Sequence, residues 1–130
     1  DWKIKNYIKN KIKKNNKKIS FELTENKDIL KFISTHNKRP RLVVGFAAET
    51  NDIEKNSISK LKSKKCDLII ANNVSNKKIG MGEDMNSAHI YNNSRLLSTY
   101  KKMSKIDLSK KILTEIIHPF LKKKIGKGIL

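Results

Sequence analysis

The chain has 130 residues, 30 Lys and Arg against 12 Asp and Glu, and a formal net charge of +18. That length serves one domain with a real core, and no apolar run approaches the roughly 18 residues needed to span a bilayer. The only arginines are Arg39, Arg41 and Arg95, too few for a protein that reads guanine through bidentate contacts; the charge is Lys, accompanied by abundant Ile and Asn, as AT-rich coding produces, and it suits solvated faces or small phosphate ligands.

Residues 1–17 are polar and irregular, and residues 9–18, KNKIKKNNKK, carry six lysines. ISFELTE (19–25) alternates Ile19, Phe21 and Leu23 against polar neighbours, which predicts a half-buried strand. NKDILKFIST (26–35) fits a short helix capped by Asn26, with Ile29, Leu30, Phe32 and Ile33 inward. RLVVGFAAE (41–49) is a continuous apolar run after Pro40 and predicts a strand buried on both faces. TNDIEKNSISKLKSKK (50–65) predicts a helix, with Asn51 and Glu54 as a capping box and Ile53, Ser57, Ile58 and Leu61 facing inward. DLIIANNVS (67–75) predicts a second buried strand, followed by a glycine-containing loop over 76–86. SAHIY (87–91) and RLLSTY (95–100) predict a hairpin turning at Asn92–Asn93. Ile112, Leu113, Ile116, Ile117, Phe120 and Leu121 recur at helical spacing, with a kink expected at Pro119. Strand, helix, strand, helix, strand, hairpin, helix is an α/β order with a mostly parallel sheet. Ligands of such sheets sit beyond the carboxyl ends of the strands, which points to residues 46–52 and 72–86.

Several side chains carry two readings each. Gly45, Ala47 and Ala48 are small enough for a ligand to approach the backbone, and the helix after them offers free N–H groups to an anion. Phe46 offers a flat face to a base or packs in the core. Lys60 and Lys64, four apart on a helix, share one face with Cβ atoms ~6 Å apart; they clamp a polyphosphate or lie in solvent. In KIKK (11–14) an extended backbone sends Lys11 and Lys13 to one side, where one ordered ammonium could offset charge developing on a transferring group. Asp28 falls in a first helical turn, where the dipole favours it. Cys66 is the only cysteine, so no internal disulfide forms; a buried thiol and a reducing, cytoplasmic compartment are expected. His36, His89 and His118 lack ligand spacing, and neither a Cys/His metal set, a Ser-His-Asp arrangement nor a Walker-type loop is present.

Read together, DW (1–2), KIKK (11–14), ELTENKDIL (22–30), RPRLVVGFAAETND (39–52), KLKSKKCDLIIANNVS (60–75) and GMGEDMN (80–86) resemble bacterial phosphopantothenate–cysteine ligase. This is the C-terminal portion of the bifunctional decarboxylase/ligase of coenzyme A biosynthesis, and the resemblance runs in order over about residues 1–115. It implies a three-layer, Rossmann-like (ribokinase-like) sheet, mostly parallel with an antiparallel hairpin, incomplete in this stretch, with an arm over 1–18 and an α/β core over 19–125. The implied reaction activates 4'-phosphopantothenate with CTP as an acyl-cytidylate, then passes the acyl group to the amine of L-cysteine, releasing CMP and pyrophosphate.

The resemblance also implies a site. Asp1 matches a residue near the nucleotide and its Mg²⁺. Lys11 matches the lysine that contacts CTP and serves the second half-reaction. Lys27, Asp28, Ile29 and Leu30 match a segment lining the nucleotide pocket, Phe46 matches an aromatic residue of that site, and Lys60 and Lys64 match two lysines that reach CTP. FMN would belong to the decarboxylase part of a longer parent, and a homodimer through this half is implied. The family's upstream Asn loop is not in this sequence, so these residues alone are expected to be inactive. Met81, Glu83 and Lys27 depart from the common pattern of the pocket. The rival readings are a basic nucleic-acid-binding module and a non-catalytic dimerisation module; no nucleic acid or membrane partner is expected under the ligase reading.

Overall fold

A computed structural model describes residues 2–6, 19–75 and 82–126. Asp1, the KIKK lysines including Lys11, and residues 76–81 lie outside the described residues. The elements are β1 (Trp2–Ile4), β2 (Leu23–Glu25), α1 (Ile29–Thr35), β3 (Val44–Glu49), α2 (Ile53–Lys64), β4 (Leu68–Asn73), β5 (Met85–Tyr91), β6 (Leu96–Ser104), α3 (Lys105–Lys111), a π-helical turn (Ile112–Ile117) and α4 (His118–Gly126).

Two sheets form. The larger has the order β3-β4-β5-β6. β3 and β4 pair in parallel, with Val44 opposite Leu68 and Glu49 opposite Asn73. The hairpin β5-β6 then adds antiparallel to β4, with Ile70 opposite Ile90. The described sheet is therefore mixed: the parallel pair is the part joined through a helical crossover, the tight turn between β5 and β6 makes their pairing antiparallel, and β5 also runs antiparallel to β4. In that turn the Asn92 side chain accepts from Ser94 N at 3.0 Å and Arg95 N at 2.9 Å, an Asx arrangement that supplies the turn without glycine. The smaller sheet is a ribbon of β1 and β2, with Ile4 opposite Leu23. The strand expected over 19–25 thus shrinks to three residues, and it joins β1 across the boundary expected near residue 18.

Period two divides β3 between two cores. Ala47 joins Val43, Leu61, Cys66, Ile69 and Tyr91 under α2. Val44 packs on the other face, where Ile70, Ile90, Tyr100, Leu108 and Ile112 meet beneath α3. The result is three layers, helices on both faces of one α/β sheet, as a Rossmann-like domain requires. Cys66 is buried, and burial raises its thiol above the ordinary range, as expected for a structural cysteine.

Other local expectations give way. α1 begins at Ile29 because Asp28, not Asn26, caps it: its carboxylate accepts from Lys31 N at 2.9 Å. Ile29, Phe32 and Ile33 are exposed and only Leu30 reaches the core, because α1 lies on the outer side of α2. The box of Asn51 and Glu54 does not form. Asp52 occupies the cap of α2 in a left-handed conformation, φ 43°, and Asn56 Nδ2 instead donates to the Asn51 carbonyl at 3.0 Å. Gly45 is small for the core's sake: a Cβ there would lie 2.7 Å from Ile69 Cδ1 and 2.8 Å from Leu30 Cδ2, so side chains rather than a ligand fill its space. Before Pro119, the helix passes through the π turn, where His118 N donates to the Leu113 carbonyl. The entry to β4 is held by Asp67, whose carboxylate accepts from Arg39 at 2.8 Å, Val43 N at 2.8 Å and Lys124 of α4 at 2.5 Å. Among the described residues no helix is long and apolar enough to cross a membrane.

Candidate functional site

A cavity of about 440 Å³ opens between the ribbon and the α1–α2 pair, lined by Trp2, Glu25, Asn26, Lys27, Asp28, Ile29, Leu30 and Lys64. Five of these are residues singled out in the sequence. They converge because residues 26–28 form the entry to α1, while Lys64 closes the last turn of α2, which α1 packs against. The Ser34 hydroxyl, buried, donates to the Lys64 carbonyl and to the Leu30 carbonyl, joining the two helices just behind the cavity.

The cavity is electrostatically prearranged. The Lys64 ammonium pairs with Asp28 Oδ2. This contact first, and the backbone N–H of Lys31 second, holds the Asp28 carboxyl below its ordinary range. Lys27 sits with Nζ 3.6 Å from the centre of the Phe32 ring, a cation–π contact that orients a second ammonium at the rim. Trp2 is 63% exposed and supplies an aromatic wall.

Lys60 does not line this cavity. Its Nζ lies 2.6 Å from Glu49 Oε1, at the carboxyl end of β3. The i,i+4 pair therefore diverges: each lysine is matched to a carboxylate on a different element, which relieves the repulsion that two like charges on one helix face would feel. Phe46 stands apart altogether. It is 75% exposed on the α3 side of β3, and lines a second cavity of about 540 Å³ with Ile70, Asn72, Leu108 and Ile112. Its even position in β3 turns it away from α2. Asp1 and Lys11 are beyond the described residues, so only Lys27, Asp28, Ile29, Leu30 and Lys64 come together in one cavity. Two contributors are not among the expected site residues. Glu49 has one signal in the sequence, as the only acid in VGFAAE; Trp2 belongs to the DW motif, which gives it no role of its own.

Residues 1–120 match the family described as DFP, DNA/pantothenate metabolism flavoprotein C-terminal domain. The chain belongs to this family. Among curated relatives, the coenzyme A biosynthesis bifunctional protein CoaBC of Bacillus subtilis (strain 168) is 39% identical over 116 residues, 89% of this chain and 28% of that protein. The protein of the same name from Haemophilus influenzae is 32% identical over 124 residues, 94% of this chain and 30% of that protein. A crystal structure of the C-terminal domain of a CoaBC protein superposes with a TM-score of 0.60 at 27% identity, covering 79% of this chain and 46% of that one. The DNA/pantothenate metabolism flavoprotein from Streptococcus pneumoniae shares the fold, with a TM-score of 0.56 at 19% identity, over 78% of this chain and 42% of that one. The chain spans less than a third of the length of the curated CoaBC relatives named here.

Proposed function

We propose that this domain holds the nucleotide in a CTP-dependent phosphopantothenate–cysteine ligase of coenzyme A biosynthesis. One observation carries the reading: a cavity in which Lys27 and Lys64 flank the capped entry to α1, within the stretch that matches the family. The reaction needs cations around a triphosphate as pyrophosphate leaves, and it needs water kept from the acyl-cytidylate. Lys64 is suited to exchange Asp28 for a phosphate oxygen, since both groups are partly open to solvent. The base or ribose would rest against the Asp28–Leu30 backbone and Trp2. Lys11 is assigned the second half-reaction, countering charge as the cysteine amine attacks.

Mg²⁺ would arrive with CTP. Among the described residues no group of three or more His, Cys, Asp or Glu side chains could hold a metal, which suits a cation carried largely by phosphate oxygens; Asp1 is the carboxylate assigned to it. FMN would serve a decarboxylase portion of a longer protein, and no residue here is assigned to it. A homodimer is favoured by the ribbon, which exposes Trp2, Ile4 and Leu23 on one face; an isolated two-stranded ribbon is marginal in water without a partner for such a face.

The test is Lys64→Ala in the full-length protein, with pyrophosphate release followed against CTP concentration. Losing one charge-assisted contact should raise KM for CTP about tenfold with a smaller effect on kcat. An unchanged KM would return Lys64 to a role in stability alone.

A further inference from the structure

Glu49 has no part in the nucleotide reading, yet its position demands one. It ends β3 and is 8% exposed, in a strand whose other residues are Val, Gly, Phe and Ala. A carboxylate taken out of water there is costly unless a positive charge and hydrogen bonds compensate it. Both compensations come from α2, and they differ in kind. On one side Asn56 Nδ2 donates to Oε2 at 3.3 Å and also to the Asn51 carbonyl at 3.0 Å. This arm ties down the β3–α2 turn, where Asp52 stands at φ 43°. On the other side Oε1, buried and without an aligned hydrogen bond, meets the Lys60 ammonium at 2.6 Å. The Lys60 side chain is 45% exposed against 11% for that of Glu49. One side of the ammonium thus faces a fixed carboxylate and the other faces solvent.

We propose that Glu49 is a positioning residue for Lys60, fixing its ammonium at the carboxyl end of β3 so that a phosphate of the nucleotide meets it already in place. The inference rests on the reading of Lys60 as a nucleotide contact that the family resemblance implies; its ammonium lies outside the Lys64 cavity, at the carboxyl end of β3, where ligands of such sheets sit. A free lysine loses its rotamer freedom when a ligand pins it, and ordering it beforehand removes part of that cost from ligand binding. The ammonium keeps donors for phosphate oxygens while one side is held, because it has three.

The test uses the full-length protein, with CTP as ligand and pyrophosphate release as readout. Glu49→Gln should raise KM for CTP about 3- to 10-fold, the scale of one side chain ordered at binding time, with kcat within about twofold. In a Lys60→Gln background the same substitution should add nothing, since the residue it positions is gone. Asn56→Ala, which removes the bond to Oε2 and the tie to the turn but leaves the Lys60–Oε1 contact, should lower the melting temperature and raise KM less than Glu49→Gln does. Additive effects in the double variant, an unchanged or lower KM in Glu49→Gln, or an equal rise in Asn56→Ala would overturn the proposal. The wild type supplies a second measurement that needs no variant. Under limiting acetic anhydride without nucleotide, Lys60 should acylate more slowly than exposed Lys62 on the same helix, and more slowly still with CTP; equal rates for the two lysines would refute it. Should CTP fail to bind the wild type, the nucleotide reading falls; should it bind while Lys60→Gln leaves KM unmoved, Lys60 is no nucleotide contact and the positioning proposal falls with it. If Lys60→Gln raises KM and Glu49→Gln does not, only the positioning role falls.

Discussion

Gly45→Ala is a sharp test of how the core supports the cavity. The added methyl would stand 2.7 Å from Ile69 Cδ1 and 2.8 Å from Leu30 Cδ2. Comfortable carbon contacts lie at about 3.5–4.0 Å, so each neighbour must retreat by roughly 1 Å. Ile69 is 1% exposed within the core and has nowhere to go. Leu30 is only partly buried and lines the cavity, so it takes most of the movement. Overpacking of this kind costs about 1–3 kcal/mol. The alanine gives back about 0.5–1 kcal/mol, because glycine in a strand loses more backbone freedom on folding. Taking the middle of each range, the net loss should be about 1 kcal/mol, read as a fall of several degrees in the melting temperature by circular dichroism. KM for CTP should rise in parallel as Leu30 shifts. Adding Leu30→Ala removes one colliding group, so the double variant should be more stable than the sum of the two single losses by at least about 0.5 kcal/mol. A Gly45→Ala protein as stable as the wild type, or strict additivity with Leu30→Ala, would refute the packing argument.

Two further expectations concern the acid limb and assembly. The Asp28 carboxyl is held below its ordinary range by Lys64, so its contribution to stability is present above the usual carboxylate pKa and is lost as pH falls through the lowered value. Asp28→Asn should therefore make the acid side of the stability profile shallower; an unchanged slope between the melting temperature and pH below about pH 4 would count against the pair. Trp2→Ser with Leu23→Ser should shift sedimentation of the full-length protein from dimer toward monomer, and an unaltered dimer would remove the ribbon from the interface.

The parts of this fold legible in the sequence are those with strong periodicity and a single competing partner. VGFAAE and LIIANN both read as strands buried on two faces; LIIANN is buried over Leu68–Ala71, whereas VGFAAE is buried only on its α2 face and leaves Phe46 exposed on the other. Leu61 and Ser57 read as the inner face of a helix, and both are buried. The hairpin was visible from two apolar runs and an Asn-rich turn. The caps expected at Asn26 and Asn51 do not form because neighbouring Asp and Asn residues compete for the same backbone donors, and sequence order does not say which geometry wins. Phe32 and Ile33 stay exposed because they lie on a helix at the edge of the domain, where apolar spacing outruns the core available to cover it. Within the site, the cluster from Lys27 to Leu30 with Lys64 came from the family resemblance. The opposite directions of Phe46 and Lys60 follow from strand parity and from a buried acid, neither of which spacing alone resolves.

Strand β3 alternates between two unrelated neighbourhoods. Its odd-numbered positions back the helix that carries Lys60 and Lys64, and its even-numbered ones, Phe46 among them, look into the opposite hollow. Two residues joined by one peptide bond can thus answer to separate selective pressures, with the sheet acting as an insulator between them. Variation at Phe46 can reshape one side of the domain while leaving the lysine side untouched.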